Sequence, residues 1–527
     1  MNNIKILDCT LRDGGYYNNW KFDDFQVKKY LKDTFEANID VIEVGFHFLH
    51  QNPDYGKYAY INNDFLNTLK IRKGKKIAIM FNGSDFLRKD CKPINILKDL
   101  FKYNNHTSVV RVAIHHKDLK KMKKFLDFFK KKKLTVCLNL MQINTIKKNK
   151  LIDCLNILKR WDNVDIFYFA DSFGNLKPAD IKKICRIIKK HWVKDFGIHA
   201  HDNCGLALKN AIRAYKCGAT WIDGTIQGMG RGAGNAKTEE LLSYFSKQNY
   251  YPEKIKNISR KYFGHLKKQY NWGPSKLYKY AAKFNIHPTY VQLVLQDKRY
   301  SNFEQNSLIK YLAKIDSKTF DPNFLTSINL SSSKQNKWNA KNWCLNRNIL
   351  LLGQGKSLKS QNIKNLIKKF IVINKPIVVS LNINNFVSKE LIDYYASCHG
   401  GRILVDHKNY FGLKKKFILP LDLLKSFKEI KKNNNFLDYG VKIQSNNFKC
   451  FKNYTVLPFN ESFAYGVALS IIGGAKKVYL AGFDGYDKDH YVNIKTKVFL
   501  DLVRTNYSSL NIKSLTKTSH EIDCLKN

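Results

Sequence analysis

One arrangement recurs eight times in the first half of the chain: a short apolar run suited to a buried strand, then a stretch with helical periodicity. The strand-like runs are Ile4–Asp8, Asp40–Phe46, Lys76–Asn82, Val109–Ile114, Leu134–Met141, Ile166–Ala170, Phe196–His201 and Trp221–Gln227. Helical patterns between them include Phe25–Phe35, Ile94–Tyr103, Leu119–Lys132, Ile146–Trp161, Ala179–His191 and Leu206–Cys217. Eight such units within about 250 residues predict a (β/α)8 barrel, with a doubly wound open sheet as the alternative. The segment Cys9–Gly15 reads as the loop leaving the first strand.

In such a barrel, chemistry collects at the C-terminal ends of the strands, and the polar residues of this chain fall there. Arg12 and Asp13 follow the first run, Asp171 and Ser172 the sixth, and His199 and His201 end the seventh. Alternation along a strand puts the two imidazoles on one face. A strand face rarely buries two polar rings without a shared partner, so His199 and His201, followed by Asp202 and Asn203, suit a divalent metal better than a packed core. After the eighth run, the loop Gly228-Met-Gly-Arg-Gly-Ala-Gly-Asn235 allows backbone to approach a ligand closely.

Composition bounds the alternatives. A chain of 527 residues predicts two or three domains, and its 44% hydrophobic content suffices for folding. No segment nears 18 uninterrupted apolar residues, so no membrane span is expected, and Met1–Ile4 runs into a strand without a signal-peptide apolar region. Eleven cysteines without a C-x-x-C pair fit reduced thiols, and the expected compartment is the cytoplasm. The formal charge of +48 comes mostly from lysine, in runs such as Lys130–Lys133. Basic residues are not interleaved with aromatics as nucleic-acid grooves require. The charge is therefore read as solvated basic faces that attract anionic substrates, with no nucleic-acid partner.

Leu7-Asp-Cys-Thr-Leu-Arg-Asp-Gly-Gly15, His199-Ala-His201 and the loop ending at Asn235 resemble the superfamily of pyruvate aldolases, hydroxymethylglutaryl-CoA lyases and Claisen synthases, most closely its 4-hydroxy-2-oxovalerate aldolase branch. The resemblance covers residues 1 to about 300, Asn285–Val291 included. It implies that Asp13, His199 and His201 bind a divalent metal, that Arg12 steadies an enolate, and that Ser172, beside Asp171, helps hold the carboxylate of a 2-oxo acid. Asn235 is an additional candidate for the metal or the loop. Two imidazoles, a carboxylate and open positions suit chelation of a 2-oxo acid by a Lewis-acidic ion, Mn²⁺ or Mg²⁺ first, with Zn²⁺ or Co²⁺ as alternatives. Glu43 is grouped with the substrate end of the site, either backing Arg12 or satisfying the barrel interior.

Departures from the family pattern matter. The aldolases carry a histidine base where Tyr16 stands, so the base is either Tyr16 or water on the metal. Claisen synthases have an acid after the Arg-Asp-Gly triplet, and Gly15 and Tyr16 remove it. The leading expectation is a metal-dependent aldolase taking a 2-oxo acid and an aldehyde. The alternatives are an acyl-CoA Claisen-type synthase on the same barrel, or an inactive barrel attached to a glycosyltransferase-like domain.

The expected domains are a barrel over 1–250, a helical extension over 251–315, a linker over 316–345 and a Rossmann-like α/β domain over 346–527. The last resembles domains of bacterial surface-glycan and sialyltransferase-like proteins through Leu352–Leu358, Ala464–Gly466 and Gly482–Asp484. Gly353, Gly355 and Ser357 are its candidate phosphate contacts, for a nucleotide or sugar nucleotide in surface-sugar synthesis, with a tight structural turn as the alternative. A homo-oligomer is the remaining partner expectation.

Overall fold

The protein is described from a computed structural model covering residues 4–525, apart from 70, 73, 91, 104–105, 298–301, 314–316, 321–336, 400–401, 404–405, 407–413, 422–434, 445 and 486–490. Most of the expected linker over 316–345 lies outside the described residues. The chain divides into two compact units, Met1–Phe320 and Asp321–Asn527.

In the first unit, β1 (Lys5–Asp8), β2 (Val41–Phe46), β3 (Lys76–Asn82), β4 (Thr107–Ile114), β5 (Thr135–Leu140), β6 (Ile166–Asp171), β7 (Phe196–Ala200) and β8 (Trp221–Gly224) close into a parallel barrel. The seam is complete, with Lys5, Ile6, Leu7 and Asp8 of β1 pairing Trp221, Ile222, Asp223 and Gly224 of β8. Amphipathic helices such as Asp24–Glu36, Lys148–Trp161 and Pro178–His191 turn their apolar sides to the barrel wall. Asp23 caps the first of these, its carboxylate accepting from the Gln26 amide at 2.9 Å. Short helices from Pro252 to Leu312 follow the barrel.

The segment expected as a loop after β1 is instead a helix, Thr10–Asn18. Two glycines in a helix are intrinsically costly, so tertiary packing must hold it. Asp8 receives the Thr10 amide at 2.9 Å, and a Cβ at Gly15 would overlap the Trp20 indole. The indole donates to the Arg12 carbonyl at 2.9 Å. Asn19 ends the helix in the left-handed region at φ 54°.

The second unit holds β9 (Asn348–Leu352), β10 (Ile377–Leu381), β11 (Tyr394–Ala396), β12 (Lys416–Leu419), β13 (Phe436–Asp438), β14 (Gly440–Ile443), β15 (Lys449–Cys450), β16 (Tyr454–Leu457), β17 (Lys477–Ala481) and β18 (Ile512–Ser514). Seven form a parallel sheet in the order β13-β12-β11-β10-β9-β17-β18, and β14, β16 and β15 form a small separate one. The apolar helix Ser462–Ile472 is buried almost throughout, as its lack of a polar face demands. Every described cysteine is a free thiol. Among the described residues, no helix is long and apolar enough to cross a membrane.

Candidate metal centre

The barrel interior is layered by strand parity. Leu7, Cys9, Val41, Ala78, Val109, Cys137, Ile166, Tyr168 and Trp221 form an apolar plug. Two residues further along β2, β4, β5 and β8 the same inward parity delivers Glu43, Arg111, Asn139 and Asp223, and on β7 it delivers His199 after Gly197. All five polar side chains are buried.

Four of them, with Arg12 and Asp13, close a ring of charges. Arg12 pairs Asp13 Oδ1 at 2.8 Å and donates from Nε to Glu43 Oε2 at 2.7 Å. Glu43 Oε2 also meets Arg111 at 3.2 Å, and Arg111 donates to Asp223 Oδ2 at 2.6 Å. The same Asp223 oxygen lies 2.8 Å from His199 Nδ1, while His199 Nε2 lies 3.3 Å from Asp13 Oδ2. Ions this deep are tolerated only when each is paired. Arg111 has a further neighbour in the Tyr168 ring, 4.4 Å from its guanidinium carbon. Tyr168 fits because Gly197 has no side chain; a Cβ there would stand 2.6 Å from the ring.

The ring governs protonation. Burial opposes ionisation of Asp13 and Asp223, yet Arg12 and the histidines keep Asp13 well below the usual carboxylate range, and Arg111 with His199 lowers Asp223. Burial alone would depress His199, but its two carboxylate partners raise it. For His201 burial outweighs the pull of Asp13 and, with the Arg231 charge, drives its imidazole strongly towards the neutral form.

Asp13, His199 and His201 bring one donor atom each within 4.8 Å of the others, all from buried residues. Asp13 Oδ2, His201 Nδ1 and Asn235 Oδ1 are buried without a hydrogen-bond partner, and the Asn235 amide nitrogen lies 3.2 Å from His199 Nε2. Orphaned donors of this mixed oxygen and nitrogen set fit a divalent ion. With Nδ1 engaged by Asp223, Nε2 is the His199 nitrogen that faces Asp13. A second cluster, Cys9, His199 and Asp223, shares His199. There Cys9 donates to the Gly224 carbonyl at 3.5 Å and burial pushes its thiol far up, so it offers no ready thiolate.

The other expected residues fall into place unevenly. Asn235 bridges back to His201, and Gly230 lies so close that a Cβ there would overlap Asn235 Oδ1. Tyr16 packs edge-on against Trp20 and Phe46, and burial raises its phenol above the ordinary range. Ser172 Oγ accepts from the Gln142 amide at 2.9 Å. Asp171 holds its own loop through the Asn175 and Leu176 amides, each at 3.2 Å, and burial raises its carboxyl to about 7. Glu43 spans two arginines at the base of the site. Asp202 accepts from the Ala207 amide and Asn203 from the Ala233 amide, so both tie down turns and neither joins the donor cluster. Arg111 and Asp223 were not among the expected site residues. Their trace in the sequence is a lone charge inside an apolar run, Val109-Val-Arg-Val112 and Trp221-Ile-Asp223.

In the second unit the turn expected to cradle a phosphate has its donors engaged. Gly353 and Gly355 donate backbone N–H to Ala481 and Gly482 carbonyls at 2.8 Å, and Ser357 N–H reaches Asp484 Oδ2 at 2.8 Å. Ser357 also gives its hydroxyl to Asp484. The Asp484 carboxylate thus lies against this turn, and the following α-helix begins only at Gln361. The tight structural turn is the arrangement observed.

The HMGL-like family matches residues 103–259. The 4-hydroxy-2-oxovalerate aldolase of Pelotomaculum thermopropionicum is 29% identical over 251 residues, which are 47% of this chain and 71% of that protein. Its counterpart in Carboxydothermus hydrogenoformans is 29% identical over 250 residues, 47% and 72% respectively. Among solved structures, the N-terminal domain of a candidate aldolase from Bacteroides vulgatus aligns with a TM-score of 0.52 and 34% identity, over 58% of this chain and 100% of that domain.

Proposed function

The chain belongs to the HMGL-like family through its barrel unit, and on that premise we propose that the barrel is a divalent-metal-dependent aldolase that acts on a 2-oxo acid. The observation that carries this reading is the closed ring Asp13–Arg12–Glu43–Arg111–Asp223–His199, with His201 completing the donor cluster. Asp13, His199 and His201 would hold Mn²⁺ or Mg²⁺, and such an ion, when bound, supplies Lewis acidity to a chelated keto group. Asp223 holds the proton on His199 Nδ1 and so fixes the tautomer. Arg12, locked by Asp13 and Glu43, presents a fixed positive charge where an enolate oxygen would develop. Burial raises the Tyr16 phenol above its ordinary range, and this reading therefore favours water over the phenol as the base. Strand order supports a Rossmann-like reading of the second unit, since the sheet grows in opposite directions from the β9–β17 neighbours.

The test is the half-reaction that needs no knowledge of the aldehyde. With Mn²⁺ the protein exchanges the methyl protons of pyruvate in D₂O, and Arg12→Lys retains the metal while losing exchange by roughly 10²–10³-fold, the effect of one preorganised oxyanion donor. Full-rate exchange in chelator-treated protein would rule the reading out.

A further inference from the structure

Arg231, in the loop after β8, differs from the other arginines of the barrel interior. Arg12 and Arg111 each hold two carboxylates. Arg231 has no carboxylate within salt-bridge distance among the described residues, and its Nε is buried without a hydrogen-bond partner. Its guanidinium nonetheless points into the site. One terminal nitrogen lies 3.4 Å from His201 Nε2, and its carbon lies 5.7 Å over the Tyr16 ring.

The backbone beside it is clamped. Gly232 donates N–H to Gln292 Oε1 at 3.0 Å, and its carbonyl accepts the Tyr17 hydroxyl. Gln292 in turn donates to the Tyr16 carbonyl at 2.8 Å. Gly232 takes φ 70°, and a Cβ there would stand 2.6 Å from Pro288. The imidazoles around Arg231 are His201, His115 and His287, and burial, with the Arg231 charge adding to it, lowers each of them. A rigidly presented, half-buried guanidinium without a counter-ion is costly until an anion meets it, and its planar fork matches a carboxylate.

We propose that Arg231 is a substrate-specificity residue that receives a carboxylate of the substrate at the rim of the site. The proposal rests on the aldolase reading. The carboxylate belongs either to the 2-oxo acid or to the aldehyde, and the experiment separates the two. Full-length protein loaded with Mn²⁺ is compared with Arg231→Met and Arg231→Lys, each first shown by calorimetry to bind Mn²⁺ at the wild-type stoichiometry. Oxalate binding reads the 2-oxo acid side. The ratio of kcat/KM for succinic semialdehyde over butanal, in addition to pyruvate, reads the acceptor side.

The Met variant should weaken oxalate binding, or lower that ratio, by roughly 10–100-fold, with Lys intermediate because it keeps charge without the fork. A change confined to oxalate assigns the anion to the 2-oxo acid, and one confined to the ratio assigns it to the acceptor. Values within twofold of wild type in both arms overturn the proposal. Wild-type protein that binds oxalate through Arg231 yet exchanges no pyruvate protons would sink the aldolase reading alone.

Discussion

Replacing Asp223 by Asn keeps the shape of the side chain and one oxygen for the His199 Nδ1 proton, but it removes a charge from the centre of the ring. Asp13, Glu43 and Asp223 carry three negative charges against two on Arg12 and Arg111, a net of one negative. Asp223→Asn brings that net to zero and leaves Arg111, whose bond to Asp223 is 2.6 Å, with Glu43 as its remaining carboxylate. Loss of a partner that orients a metal-binding histidine costs about 10–100-fold in metal affinity, or roughly 1.4–2.8 kcal/mol. The metal-free fold should lose up to about 3 kcal/mol, the low end for breaking a buried pair. Calorimetric titration with Mn²⁺ reads the first quantity and urea unfolding of the metal-free protein reads the second. Lowered stability with Mn²⁺ affinity within twofold of wild type would refute the argument, since Asp223 would then be only a counter-ion for Arg111.

His199→Ala removes a donor from the cluster and should make Mn²⁺ binding undetectable by calorimetry while the metal-free protein keeps its far-ultraviolet circular dichroism. Gly230→Ala places a methyl group against Asn235 and 3.1 Å from Asp13 Oδ2, so Mn²⁺ affinity should fall by at least about tenfold, read in the same titration. Asp171, with its folded carboxyl raised from 3.8 to about 7, binds a proton in the folded state that the unfolded chain has released. Its contribution is therefore complete below the unfolded value and is lost as pH rises through about 7. Urea midpoints of the wild type should drop between pH 5 and pH 8 relative to Asp171→Asn, and parallel profiles would contradict this. Asp484→Asn, by weakening both contacts to Ser357, should destabilise the second unit by about 1–2 kcal/mol in scanning calorimetry.

The barrel could be read from local pattern because each strand is short, apolar and followed by a helix, and that periodicity survives without knowing what touches what. The His199–His201 spacing and the Arg12-Asp13 pair were legible for the same reason. The partners of Arg111 were not, because Arg111 and Asp223 stand 112 residues apart and meet only across a closed barrel. The helix at Thr10–Asn18 was hidden as well: its glycines argue for a loop, and only packing, of Met229 against Gly14 and of the Trp20 indole against Gly15, accounts for their missing side chains. Gly353–Ser357 left two arrangements open. A glycine turn before a helix carries the same letters whether its amides face a ligand or the protein itself; here the Ala481 and Gly482 carbonyls take the glycine amides and Asp484, 127 residues away from Ser357, takes that of Ser357.

The ring of charges spans Asp13 just after the first strand and Asp223 on the last, on either side of the seam where the chain's beginning meets its eighth strand. If the cluster of Asp13, His199 and His201 holds the proposed ion, metal affinity becomes a gauge of barrel closure. A chain stalled before Trp221, or one whose β1 has slipped in register, lacks either Asp223 or the alignment that brings Asp13 to His199, whatever the quality of the remaining helices. Incompletely closed barrels should therefore bind the ion poorly. Mass action would then make the ion a selective stabiliser of fully closed molecules.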